Sequence, residues 1–142
     1  MGRINAQRVV LGGLAAGVVL NILQALIGGL LTARDFEAAL AALGKAIPQT
    51  PAMMAYYVGL GFVLGIVLVW TYAAIRPRFG PGPRTAIIAG LAVWVAMGLI
   101  NALAEAPMGI MPMRLHVLMN VAWLIELPLA TLVGAWVYRE EA

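Results

Sequence analysis

Four long apolar runs, separated by short stretches that hold most of the charge and all of the proline except Pro128, are the feature that most restricts this chain. The first, Val9 to Ala33, contains no charged residue. At about 1.5 Å of rise per helical residue it is long enough to cross a hydrocarbon layer of about 30 Å. Of the 142 residues, 63% are hydrophobic and 11% charged, against roughly 45–50% and about 25% in soluble domains. A core of this size cannot hide that much apolar surface, so the expected solvent is lipid. In lipid the backbone must satisfy its own hydrogen bonds, and runs of this length do so as helices. The expected fold class is all-α: a four-transmembrane-helix bundle in one domain spanning residues 1–142.

The boundaries follow from the punctuation. Helix one is expected at 9–33; a cleaved signal peptide is excluded because its apolar region would be only about 7–15 residues. From Arg34 the pattern changes. Asp35 is placed to cap a short amphipathic helix at about 35–44, in which Phe36, Leu40 and Leu43 recur at helical spacing, and this segment is expected to lie on the membrane surface. After Pro48-Gln49-Thr50-Pro51, helix two is expected at 53–75. Arg76-Pro77-Arg78-Phe79-Gly80-Pro81-Gly82-Pro83-Arg84 then combines cations with helix breakers and forms a tight loop. Helix three is expected at 85–104. Pro107 and Pro112 bracket the next loop, and helix four is expected at 113–138.

Basic residues divide unevenly between the two ends. Arg3, Arg8, Arg76, Arg78, Arg84 and Arg139 fall on one side, and Arg34, Lys45 and Arg114 on the other. The richer side is expected in the cytoplasm, with both termini. The formal charge of +3 does not imply nucleic acid, because the cations sit at segment ends and never form a patch with interleaved aromatics. The expected partners are the bilayer, and either a second copy of the chain or another membrane subunit.

Small residues recur four apart in every run: Gly13 and Gly17, Gly61 and Gly65, Ala86 and Gly90, Ala130 and Gly134. Such pairs let helix backbones approach closely in lipid, where packing replaces the hydrophobic drive. Their presence in all four helices favours packing within one bundle over a dedicated dimer face.

The stretch Tyr72-Ala-Ala-Ile-Arg-Pro-Arg-Phe-Gly-Pro-Gly-Pro-Arg-Thr-Ala86 and the ending Glu126-Leu-Pro-Leu-Ala-Thr-Leu-Val-Gly-Ala-Trp-Val-Tyr-Arg-Glu140 resemble small bacterial four-helix integral membrane proteins of unassigned function. The resemblance covers most of the chain and rests on structural punctuation. It implies the four-helix fold and a bacterial inner membrane, and it carries no functional residues across.

Glu126 is the sharpest chemical feature. It falls near the middle of helix four, hence near the bilayer midplane, where an ionised carboxylate costs at least about 2.5 kcal/mol. Pro128 lacks the N–H that the Leu124 carbonyl would otherwise receive. Two readings stand: a proton or cation site, or a protonated acid satisfied by Asn21 or Gln24 of helix one. Asn21 and Gln24 share a face at spacing three, Asn101 and Glu105 at spacing four, and His116, Asn120 and Trp123 form a stripe on helix four. At 100° per residue Glu126 lies about 80° round from His116, beside that stripe. Interhelical hydrogen bonding is the expected role of most of these groups, and a pair between Glu105 and Arg114 is expected to clamp the outer loop.

Methionine gathers at the outer end, as Met53, Met54, Met108, Met111, Met113 and Met119, together with the sole histidine, His116. Thioethers are soft donors suited to Cu(I). Met also fills irregular apolar gaps, which is the favoured explanation in a chain without cysteine or a second histidine. With no serine, no cysteine and no phosphate loop, an enzyme is not expected. The leading expectation is a non-enzymatic accessory or homo-oligomeric membrane bundle without cofactor. A small proton- or cation-coupled transporter using Glu126 and a periplasmic-side Cu(I) binder are the alternatives.

Overall fold

The computed structural model describes residues 4–138; Arg3, Arg139 and Glu140, which enter the charge count and the quoted resemblance, lie outside the described residues. These residues form four helices long and apolar enough to cross a membrane: α1 (Ala6–Ala42), α2 (Pro51–Phe79), α3 (Pro83–Met108) and α4 (Met113–Val137). No strand occurs among the described residues. Asn5 caps α1 by accepting from the Arg8 amide at 3.0 Å. Thr50 does the same for α2 through the Met53 amide at 3.2 Å, with Pro51 in its first turn, where a missing N–H costs nothing. Gly80 and Gly82, at φ 81° and 125°, make the turn from α2 to α3 in a conformation that side-chain-bearing residues disfavour.

α1 differs from the expectation of two separate helices. It runs on past Arg34 through a π-helical stretch, Gly28–Thr32, into Ala33–Ala42. Thr32 stands where a cap would be required and makes no capping hydrogen bond. Asp35 is therefore inside a continuous helix and caps nothing. Its carboxylate meets Arg114 instead, at 3.7 Å. The expected Glu105–Arg114 clamp is replaced by this pair, which ties the outer extension of α1 to the start of α4. α2 also extends beyond its expected end, through Pro77 to Phe79.

α2 and α4 touch each other and each packs on both α1 and α3, which lie on opposite flanks. Glycine sets how closely the axes approach. A Cβ at Gly65 would lie 2.6 Å from the Gly17 backbone nitrogen and would also strike the Gly13 carbonyl. A Cβ at Gly13 would meet the Ile66 backbone, and one at Gly12 the Gly134 carbonyl at 2.6 Å. Across the α3–α4 seam, a Cβ at Gly90 would lie 2.6 Å from the Pro128 Cα. Gly13, Gly17, Gly61, Gly65, Gly90 and Gly134 thus all lie at crossings within one bundle. Around them pack Ala16, Leu20, Leu68, Val69, Leu127 and Ala130.

Aromatic rings close the end of the bundle at the α2–α3 turn. The Tyr72 hydroxyl accepts from the Gly82 amide at 3.2 Å, its ring meets Tyr138 edge-on at 6.0 Å, and the Arg76 guanidinium lies 5.8 Å over the Tyr138 ring. Away from the seams the surface is apolar: Leu30, Leu31, Val63, Val67, Ile100, Val121 and Ile125 are exposed, and Trp136 is 84% exposed.

Gly65→Leu should lower the thermal stability of the purified, detergent-solubilised protein by the equivalent of about 1–3 kcal/mol, the usual cost of overpacking. Gly59→Ala, whose Cβ meets nothing within 4 Å, should leave the melting temperature unchanged. Equal losses from both would contradict the proposed crossing.

Candidate functional site

Glu126 lies thirteen positions into α4, about 20 Å from its outer start at about 1.5 Å per residue. The α3 backbone closes on α4 at Leu127 and Pro128 opposite Gly90, and Leu127 is fully buried. Glu126 is 2% exposed, and its Oε2 has no hydrogen-bond partner. Neither Asn21 nor Gln24 satisfies it. Asn21 turns toward α2, donating through Nδ2 to the Gly17 carbonyl at 2.9 Å and to the Val58 carbonyl at 3.2 Å. Its amide rests against Gly61, where a Cβ would come within 2.7 Å of Oδ1.

Pro128 makes this stretch of α4 unusual twice over. It takes one N–H out of the helical ladder, leaving the Leu124 carbonyl without its normal donor. One turn on, Thr131 is fully buried and donates its hydroxyl to the Leu127 carbonyl at 2.6 Å. Such back-bonding satisfies the hydroxyl locally. Glu126 has no equivalent, so the interior here holds one carboxyl oxygen that the fold does not satisfy.

A second polar group occupies the α3–α4 seam further out. Trp94 Nε1 donates to the Asn120 carbonyl at 3.0 Å, and Asn120 Nδ2 donates to the His116 carbonyl at 3.1 Å. Asn120 Oδ1 and His116 Nε2 are buried without partners, with His116 itself 8% exposed. Opposite them α3 adopts a π-helical stretch, Val95–Leu99, in which Gly98 would place a Cβ 3.2 Å from Asn120 Oδ1. Stretches of this kind re-aim a helix face and recur at functional positions.

The six polar residues singled out from sequence do not converge. Glu126 is in the core, Asn120 in the α3–α4 seam, Asn21 in the α1–α2 seam, and Gln24 beside a cavity at the outer end of that seam. Asn101 is exposed on α3 and donates to its own helix, at the Met97 carbonyl, 2.6 Å away. Glu105 is also exposed. The methionines of the outer set differ in burial: Met113 is 61% exposed and Met108 is exposed, Met111 and Met119 are half-buried, while His116 is buried. Among the described residues no group of three His, Cys, Asp or Glu side chains is placed to hold a metal. Sequence reasoning passed over Trp94 and Thr131. The signal for Trp94 was its place in mid-run, away from the interfaces where Trp is usual.

This geometry defines a four-helix bundle of membrane-spanning build with an unsatisfied carboxyl in its interior. Comparison with protein-family models, curated proteins and solved structures finds no match for the chain.

An unpartnered buried polar group costs about 1–3 kcal/mol. Glu126→Leu, which keeps most of the volume, should therefore raise stability by that order, while Glu126→Gln should leave it nearly unchanged. Thermal melts of the three proteins in one detergent check this. A Leu variant less stable than wild type would show that Glu126 is satisfied after all.

Proposed function

We propose that the chain is an integral protein of a bacterial inner membrane, crossing it four times with both termini in the cytoplasm, and that it carries protons or small cations through Glu126. The observation that carries this reading is the nearly complete burial of Glu126 with Oε2 unpartnered. Ionisable groups within membrane helices are expensive and typically face the interior of a bundle, where they mark ion and proton pathways. A carboxyl whose geometry is committed to no internal hydrogen bond is free to exchange a proton or to accept a cation. The exposed apolar belt supports the membrane placement, since a surface of this extent is unsuited to water. The arginine-rich loop supports the orientation.

A second reading, a non-enzymatic accessory subunit or homo-oligomer, is favoured by the outer flank of α3. Asn101 and Glu105 are exposed there one turn apart, and an amide facing lipid gains from a partner helix.

The chain has no cysteine, so single introduced cysteines report cleanly. One at Gly82 should resist a membrane-impermeant thiol reagent in intact cells and one at Gln49 should react; the reverse pattern would invert the topology. Proteoliposomes containing the wild type should dissipate an imposed pH gradient or cation gradient, and Glu126→Gln should reduce that flux to the level of empty vesicles. Flux unaffected by the substitution would remove Glu126 from the pathway. No flux at all would leave the accessory reading in its place.

A further inference from the structure

Above the seat of Asn21 on Gly61, α1 and α2 part, and the chain from Ile47 to Pro51 closes over the gap. The result is an open-sided cavity of about 800 Å³, within the size range of small-molecule sites; in its lining Gln24 is half-buried and Gln49, Thr50 and Tyr57 are exposed. Its polar lining is Asn21, Gln24, Gln49, Thr50 and Tyr57, and no charged side chain contributes to it. The hydrogen-bonding capacity of these groups is unequally used. Asn21 Nδ2 is spent on the Gly17 and Val58 carbonyls, and Thr50 Oγ1 is spent on the Met53 amide. Among the described residues the Gln24 and Gln49 amides and the Tyr57 hydroxyl have no hydrogen-bond partner, and the exposed Gln49 and Tyr57 with the half-buried Gln24 can be reached by a ligand. Tyr57 is held edge-on to Tyr56, with ring centroids 5.7 Å apart. Met53 and Met54 complete a soft, apolar wall, and the adjoining α1 surface at Leu26 and Leu30 is exposed and apolar.

We propose that this cavity binds the head of an uncharged, carbonyl-bearing membrane amphiphile, whose aliphatic tail lies along α1 in the outer leaflet. Two amides and a phenol present N–H and O–H donors to carbonyl oxygens. A charged head would lose water and gain no counter-charge from the lining. Thioether sulfur and the Tyr57 ring add favourable contact to a flat or ester-bearing head. Two sources share this chemistry, a quinone and a diacylglycerol. The site is independent of Glu126 but rests on the membrane placement proposed above.

The test uses the full chain. Membranes are first washed with alkaline carbonate, and retained protein is reconstituted into phosphatidylcholine nanodiscs. It is then titrated separately with a short-tailed benzoquinone, with dioleoylglycerol and with dioleoylphosphatidylglycerol, and bound ligand is read by native mass spectrometry. One of the two neutral ligands should bind saturably, and its identity names the source. Gln24→Leu combined with Gln49→Leu should weaken that binding at least about tenfold, the scale set by two lost hydrogen bonds. Gly28→Leu should block it separately, because Gly28 lines the cavity and its Cβ has open space ahead of it. This second variant keeps the test decisive if the double variant misfolds. Saturable uptake of phosphatidylglycerol alone, uptake of no ligand, or neutral-ligand binding indifferent to these substitutions would overturn the site. A chain that washes off with carbonate would overturn the membrane placement and the site together.

Discussion

Everything in this structure depends on how closely α1 and α2 approach. In lipid, apolar side chains gain little by leaving the solvent for each other, so helix association draws on dispersion contacts at short range and on interhelical hydrogen bonds. Gly13 and Gly17 on α1 and Gly65 on α2 allow backbone to meet backbone. The same close approach brings the Asn21 amide onto Gly61 and within reach of the Val58 carbonyl. α4 joins this pair through Gly12 and Gly134, and α3 joins α4 through Gly90 and Pro128. With the seams so tight, a polar group placed in one has few chances of adjustment, which is why the isolated Glu126 oxygen matters.

The contrast between Glu126 and the other buried polar groups is a contrast of reach. Thr131 bonds back to its own helix, and Asn120 uses a carbonyl one turn away. Trp94 crosses the seam to the Asn120 carbonyl. Each of these gives a polar atom a partner at short range, and the Trp94 bond, the interhelical one of the three, contributes about 0.6–2 kcal/mol to packing. Glu126 Oε2 is buried near the midpoint of α4, beside a proline that already weakens the ladder, and gains nothing comparable. A group that opposes stability at mid-helix is consistent with the proton- or cation-carrying role proposed above.

Much of the fold was legible in the sequence because length and charge speak directly to helix number. Apart from the end of α1, the expected bounds 53–75, 85–104 and 113–138 fall within four residues of the observed Pro51–Phe79, Pro83–Met108 and Met113–Val137. The extension of α1 was not legible. Arg34 and Asp35 read as an end and a restart, whereas a π-helical stretch carries the helix through. Nor could sequence decide whether Arg114 would meet Glu105 or Asp35, since both acids lie toward the outer end and only the tertiary path of α1 separates them. For the site, the mid-span depth of Glu126 followed from its position in helix four. Its lack of a partner did not, because Asn21 and Gln24 lie at a suitable depth and only their rotation about the α1 axis turns Asn21 onto α2. The α1–α2 cavity was invisible for the same reason: its lining comes from three segments that no local pattern connects.

Glu126 faces the interior of the bundle, while Ile125 and Leu129 beside it on α4 are exposed on the apolar surface. Spin labels placed singly at positions 125, 126 and 129 of the protein in bilayers test it most directly, through relaxation by molecular oxygen, which concentrates in hydrocarbon, and by a water-soluble nickel complex. Oxygen relaxation should be strong at positions 125 and 129 and weak at 126, and the nickel complex should have no effect at 125 and 129. Oxygen relaxation at 126 equal to that at its neighbours, or nickel relaxation at 125 and 129, would contradict that arrangement.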